Sequence, residues 1–196
     1  MLGSNELMNS RISGSEEALA TLACARIAHR PRPALLIGGL GMGFTLRAAL
    51  GAVPLDARLV VAELVPAVVR WARGPMAHLY GESLTDARVT IAEADFGDLI
   101  GGAPAAYDAI LLDVDNGPDG LTLDTNNRLY SMTGLRRARA ALRPGGVLAI
   151  WSSAPDQAFT ERLRKAGFQA EEVPVRSRGG RRGAHHIIWL AVNAPV

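Results

Sequence analysis

Cysteine is almost absent from this 196-residue chain. Cys24 stands alone, so no disulfide can close within the chain and no zinc site can be built on thiolates. Lysine is as scarce, with Lys165 the only one. Lys and Arg together number 21 against 19 Asp and Glu, for a formal net charge of +2. That balance gives no electrostatic argument for nucleic acid or for a membrane surface. Long apolar runs are missing too. None approaches the ~20 residues needed to cross a bilayer, and the start of the chain lacks the basic-then-apolar pattern of an export signal. The expectation is a cytoplasmic protein with no membrane segment. His185 and His186 are adjacent, and neighbouring residues of a strand point to opposite faces, so they do not suggest a shared metal ion. The remaining composition, 48% hydrophobic and 20% charged, is that of an ordinary globular protein with a full core. The length suits one domain.

The most informative stretch is Ala34-Leu35-Leu36-Ile37-Gly38-Gly39-Leu40-Gly41-Met42-Gly43-Phe44. Its unbroken apolar start reads as a strand buried on both faces, as in a parallel sheet. Gly39, Gly41 and Gly43 then allow a sharp turn and close approach to a ligand, because no Cβ intervenes. A helix follows over residues 45–50, with its free N–H groups and positive dipole end toward the loop. The pattern is a strand–glycine loop–helix cradle of the kind that holds a nucleotide. Plain packing of a strand against a helix is the competing explanation.

The rest of the chain alternates strand and helix patterns. Leu19, Leu22, Ala23 and Ile27 recur at helical spacing after Ser15, a candidate N-cap with Glu16 and Glu17 in the first turn. Strands are expected over residues 58–63, 88–92, 107–113 and 147–151. Helices are expected after Pro66, over 132–142 and over 155–166, and Arg143-Pro144-Gly145-Gly146 reads as a stop. Arg136, Arg137, Arg139 and Arg143 read as a solvated face. Residues 169–175 and 185–192 read as a final antiparallel hairpin. The fold class is therefore α/β: a doubly wound, mostly parallel seven-stranded sheet with a C-terminal antiparallel hairpin. Residues 1–33 form an N-terminal segment and helix, and 34–196 the nucleoside-binding body of a single domain.

Ligands of such sheets bind beyond the C-terminal strand ends, at the switch point. Three carboxylates fall there. Glu63 lies about 20 residues past the glycine loop, the spacing of an acid that accepts from ribose hydroxyls; a solvated strand-end acid is the alternative. Asp95, followed by Phe96, suits an adenine amino group, or else caps a short helix at 97–100. Asp113 ends the most apolar strand and opens a long loop rich in Asp, Asn, Gly and Pro. Such loops are usually functional, although an Asx turn at the strand exit would also use this residue.

The Gly-x-Gly-x-Gly loop, the acids after strands two, three and four, and the terminal hairpin together resemble the class I S-adenosylmethionine-dependent methyltransferase fold. Phe44 stands where a dinucleotide enzyme has its third glycine. Within that fold, several stretches resemble the spermidine synthase (polyamine aminopropyltransferase) family more closely. They are Leu36-Ile37-Gly38-Gly39, Tyr107-Asp108-Ala109-Ile110-Leu111-Leu112-Asp113, Gly117-Pro118, Leu129-Tyr130-Ser131, and Leu142-Arg143-Pro144-Gly145-Gly146-Val147-Leu148. The likeness covers residues 34–152 and, more loosely, 15–19.

The resemblance implies a transferase using S-adenosylmethionine or its decarboxylated form as co-substrate, with no metal, a small amine acceptor and a homodimeric assembly. It implies that Gly39, Gly41 and Gly43 line the sulfonium nucleoside. Glu63 would bind ribose, Asp95 and Phe96 would contact adenine, and Asp113 would be the acid nearest the reacting amine. Asp115, Asn116 and Tyr130 would lie on the acceptor side. Two departures stand out. That family carries an acid inside the glycine loop to hold the aminopropyl amine, whereas Gly39-Leu40-Gly41-Met42-Gly43 has none. Its Asp-x-x-Asp pattern becomes Asp113-x-Asp115-Asn116 here. The 33 residues before the first strand are also too few for the family's N-terminal β-domain. A small-molecule methyltransferase and a non-catalytic nucleoside-binding protein are the alternative functions. No Asn-Pro-Pro-aromatic motif follows strand four, so methylation of nucleic-acid bases is not expected.

Overall fold

A computed structural model describes residues 13–113, 128–177 and 183–194. Seven strands form one sheet in the order β3-β2-β1-β4-β5-β7-β6. They are β1 (Ala34–Gly38), β2 (Arg58–Ala62), β3 (Val89–Ala92), β4 (Tyr107–Leu112), β5 (Leu142–Ser152), β6 (Gln169–Arg176) and β7 (His185–Val192). The first five run parallel, while β7 pairs antiparallel with both β5 and β6. The doubly wound sheet and its terminal hairpin are as expected from sequence.

Side-chain alternation along the central strands separates two cores. Leu35, Ile37, Leu59, Val61, Ala109, Leu111, Val147 and Ala149 face one side. There they meet α1 (Gly14–Arg26), α2 (Phe44–Ala52), α3 (Pro66–Arg73) and α4 (Ala77–Tyr80). Leu36, Ile110, Leu112, Leu148, Ile150 and Trp189 face the other. Their partners come from α5 (Phe96–Gly101), α6 (Met132–Ala141) and α7 (Gln157–Lys165). All residues of β1 and β4 are buried, as expected for strands covered on both faces. The chain leaves β1 for β2 and β3, then returns to β4 on β1's other flank. The reversal opens a crevice at the C-terminal end of β1.

Three local expectations are corrected. Ser15 does not cap α1; Ser13 holds that position without a side-chain bond. The Gly14 amide reaches the Ser177 carbonyl, so the helix begins earlier and Ser15 is buried against His186. Pro144-Gly145-Gly146 does not separate helix from strand, because β5 already starts at Leu142. Gly145 takes φ 74°, and its amide and the Gly146 carbonyl bond to the Asn193 backbone. The kinked segment thus stays inside the sheet, with a register shift against β4. Finally, Arg143 is not merely part of a solvated face. Together with Arg30 it pairs with the buried Asp108.

Candidate active site

The sheet register brings the predicted loop and two of its acids together. Gly38, the last residue of β1, pairs with Ala62 on one side and Leu112 on the other. Glu63 and Asp113 each come one residue later and therefore flank the glycine loop. Their strands are about 9–10 Å apart, two strand spacings. Gly39 takes φ 88° and its amide donates to the Ala62 carbonyl, whereas Gly43 takes φ 77° at the N-cap of α2. A Cβ on Gly43 would stand 2.4 Å from the Tyr80 ring. A side chain there is excluded by both backbone and space. The same tyrosine donates its hydroxyl to the Gly41 carbonyl. The loop is therefore clamped from beneath by an aromatic side chain.

Glu63 is pinned by the backbone on both sides. Its Oε2 accepts from the Leu40 amide at 3.0 Å and its Oε1 from the Val65 amide at 2.8 Å. A carboxylate offers about four acceptor positions, so two amides leave room for a pair of hydroxyl donors. Glu63 is 8% exposed. It fits a rigid, preoriented acceptor for a vicinal diol. Leu64 and Val65 beside it are half exposed and supply apolar surface at the rim.

Asp113 lies on the other flank. Its amide donates to the Gly38 carbonyl at 3.3 Å, and its Oδ2 accepts from the Thr45 hydroxyl at 2.6 Å. Burial pushes its carboxyl above the ordinary range, with the Thr45 bond opposing. Glu16, in the first turn of α1, is the third acid of this corner. Its carboxyl is pushed up to about 7, first by burial and then by the charge of Asp113. Its Oε2 is buried without a hydrogen-bond partner.

The remaining predicted residues sit apart from this corner or do other work. Asp95 caps α5, accepting from the Gly97 amide at 2.6 Å through Oδ1. That is the capping alternative, and it leaves Oδ2 as the oxygen for any ligand. A cleft of about 430 Å³ adjoins Asp95, lined also by Gly97, Arg128, Ser131 and Arg137. Phe96 is only 6% exposed and packs against Gly38, where a Cβ would come within 3.1 Å of its ring. Tyr130 is 3% exposed, edge-on to Phe159 in the second core. Asp115 and Asn116, with the loop around them, lie outside the described residues. Among the described residues no group of three or more His, Cys, Asp or Glu could hold a metal ion, and no helix is long and apolar enough to cross a membrane.

Three contributors carried no usable signal in the sequence. Tyr80 is remote from the loop along the chain. Thr45 looks like any early helix residue. Glu16 looks like an acid placed for the helix dipole; only the packing of α1 against α2 reveals its neighbour.

Comparison with known proteins agrees with this fold. No family model matches the chain. The polyamine aminopropyltransferase of Mycobacterium tuberculosis is 32% identical over 146 residues, which are 70% of this chain and 27% of that protein. The Nitrosomonas europaea polyamine aminopropyltransferase is 33% identical over 125 residues, 64% of this chain and 36% of that one. The chain thus spans roughly a quarter to a third of the length of these curated relatives. Among solved structures, spermidine synthase from Thermotoga maritima superposes with a TM-score of 0.76 at 19% identity, over 95% of this chain and 62% of that one. A spermidine synthase in complex with the transition-state analogue AdoDATO gives 0.75 at 19% identity, over 93% and 61%. The Burkholderia thailandensis 1,6-didemethyltoxoflavin-N1-methyltransferase, with S-adenosylhomocysteine bound, gives 0.58 at 25% identity, over 91% and 80%. The two curated relatives and the last of these structures are transferases by name.

Proposed function

From homology to the polyamine aminopropyltransferases over most of the chain, we propose that this protein moves an aminopropyl group from decarboxylated S-adenosylmethionine to a small amine. Glu63 holds the ribose and the clamped glycine loop carries the sulfonium nucleoside, with Asp95 and the edge of Phe96 toward the adenine. Asp113 is the base. Asp115, Asn116 and Tyr130 belong to the acceptor side. The observation that carries the reading is the placement of Asp113: at the switch point, beside the loop, with one hydroxyl donor and a carboxyl raised by burial.

The chemistry explains the need for such an acid. An alkylamine is protonated at neutral pH, and freeing its lone pair costs roughly 4–5 kcal/mol. Asp113 orients the ammonium and accepts its proton. The nitrogen pair then attacks the aminopropyl carbon bonded to sulfur. That C–S bond breaks, its electron pair neutralises the sulfonium, and methylthioadenosine leaves. The new secondary ammonium keeps both hydrogens that the free amine brought, so the one proton released overall is the one Asp113 accepted before the attack. A carboxyl raised toward neutrality is a stronger base than an ordinary one while still ionised, and base catalysis of this kind contributes about 10²–10⁴ in rate. A homodimer, in which a second copy covers the open mouth of the pocket, extends this reading; sedimentation velocity tests it.

One observation favours a second reading. The glycine loop carries no acid for an aminopropyl ammonium, and a methyltransferase shares the fold. Calorimetry with decarboxylated S-adenosylmethionine, S-adenosylmethionine and methylthioadenosine separates the two. Tighter binding of the decarboxylated ligand is expected. Preference for the carboxylated ligand makes the protein a methyltransferase, and no binding of any of them removes the enzymatic reading.

A further inference from the structure

Tyr80 is one of the largest fully buried side chains of the protein, yet its polar end serves a loop rather than the core. A buried phenol needs a partner for its O–H, and the partner is the Gly41 carbonyl. Burial, and then the charge of Glu63, push this phenol up to about 12, so it keeps its proton and remains a donor near neutral pH. The segment that carries it is anchored on both sides. Arg47 of α2 donates to the Leu79 carbonyl at 2.9 Å, and the Ser83 hydroxyl donates to the Tyr80 carbonyl at 2.7 Å.

The glycine loop is fixed one peptide at a time. The Gly39 amide donates to Ala62 and the Leu40 amide to Glu63, while the Gly43 amide closes a four-residue turn on the Leu40 carbonyl at 2.9 Å. Of the two central residues of that turn, Gly41 takes φ 47° and Met42 does not take a positive φ. A positive φ at the first central position alone is the II′ arrangement. Turning the Gly41–Met42 peptide over gives the I′ arrangement, which requires a positive φ at both. The Tyr80 bond acts on this choice, because a planar trans peptide points its C=O and its N–H to opposite sides. With the Gly41 carbonyl held on the tyrosine, the Met42 N–H is turned away from it, toward the crevice. Neither the Gly41 nor the Met42 amide has an acceptor among the described residues.

We propose that Tyr80 is a positioning residue of the nucleoside site: through the Gly41 carbonyl its hydroxyl fixes the face of the central peptide, so that the loop presents the Met42 amide to the bound nucleoside. The inference rests on the nucleoside reading of the glycine loop. Tyr80 acts on the loop backbone, from the side opposite the ligand. Glu63 takes the adjoining Leu40 amide through Oε2. The ribose acceptor and the loop donor are therefore set by one connected run of contacts, Glu63–Leu40–Gly41–Tyr80.

The test is calorimetry of the full chain with methylthioadenosine, at a temperature where circular dichroism shows every variant folded. Tyr80→Phe keeps the ring beneath Gly43 and removes only the O–H. It is expected to weaken methylthioadenosine about three- to tenfold, the value of one neutral hydrogen bond. In turnover assays KM for the nucleoside co-substrate should rise by a similar factor while KM for the amine stays put, a split that general loosening would not produce. Tyr107→Phe, at the far end of β4, should leave affinity unchanged. Met42→Gly tolerates a positive φ. Alone it should have little effect, because Tyr80 still holds the carbonyl; combined with Tyr80→Phe it should weaken binding by more than the product of the two single effects. In 1H–15N spectra methylthioadenosine should shift the Met42 amide of the wild type, and shift it less in Tyr80→Phe. Wild-type affinity in Tyr80→Phe, independent effects in the double variant, or a wild-type Met42 amide indifferent to the bound nucleoside each overturns the inference alone. No binding by the wild type overturns the nucleoside reading and this inference with it.

Discussion

Strand β4 carries an acid at each end, and the two are treated in opposite ways. Asp108, near its start, is 1% exposed and saturated with donors. Arg30 reaches Oδ1 at 2.9 Å, while Arg143 at 2.7 Å and the Ala34 amide at 2.8 Å reach Oδ2. Asp113, just past the strand's end, has a single side-chain donor, Thr45, and a second acid for a neighbour. One end of the sheet has neutralised its charge. The other keeps charge in reserve. A buried acid that serves structure has its partners within the protein, whereas one that serves a ligand leaves positions open for it.

The sharpest way to break this contrast is to remove each acid in turn. Asp108→Ala leaves two guanidinium groups and one amide facing a vacant site, and removal of one partner from a buried ion pair costs about 3–5 kcal/mol. Arg143 is 40% exposed on its side chain, so water recovers part of that and the lower end is expected. Urea unfolding should show it as a shifted midpoint at constant slope. Asp113→Asn should do the reverse. Stability at pH 8 should hold or rise, because the Thr45 hydroxyl can still donate to the amide oxygen and a costly buried charge is gone. Turnover should fall by about 10²–10⁴. A loss of folding in Asp113→Asn, or full activity, would erase the distinction between the two ends.

A comparison within the site gives a smaller effect. Glu63 accepts from two backbone amides, so it resembles Asp108 in being tied down and Asp113 in retaining open acceptor positions. Glu63→Ala should weaken methylthioadenosine binding about ten- to a hundredfold, the value of one or two charge-assisted hydrogen bonds. Calorimetry measures it, and an unchanged affinity removes Glu63 from the nucleoside site.

These contrasts also show how far the residues alone could be read. β1 and β4 were legible because an apolar run ending in glycine or in an acid has few other meanings in an α/β chain. The flanking of the loop by Glu63 and Asp113 followed from that strand order. Asp108 was legible in principle: a charge inside Tyr107–Leu112 must be paired if buried. Its partners Arg30 and Arg143 come from distant segments, and Arg143 looked like a member of a solvated face. The Pro144-Gly145-Gly146 kink misled because it usually ends an element, and only the Asn193 backbone explains why the strand continues through it. Glu16 was hidden by its suitability for another task, since an acid in a first helical turn needs no further reason to be there. Local pattern is readable wherever one element explains a residue, and fails wherever two elements must meet.

The smallest expected effect tests the charge held in reserve, through the pH dependence of stability in the absence of ligand. Glu16 has its carboxyl pushed up from the ordinary 4.5 to about 7 in the folded state. The folded protein therefore binds this proton more tightly than the unfolded chain does. The corresponding stability is fully present below pH 4.5 and is lost as pH rises through 7. Asp113, also raised, acts in the same direction. His186 acts in the opposite one: burial lowers its pKa below the ordinary 6.5, so its contribution is present above 6.5 and is lost as pH falls. In the wild type the two slopes oppose each other just below pH 6.5, and the net melting curve there is flatter than either alone. Glu16→Gln removes the raised acid and leaves the histidine. Its melting temperature relative to the wild type should therefore climb by a few degrees as pH rises from 5 to 7, and level off above that. A gap that stays constant with pH would mean that Glu16 is solvated like any first-turn acid, and that Asp113 faces the pocket without it.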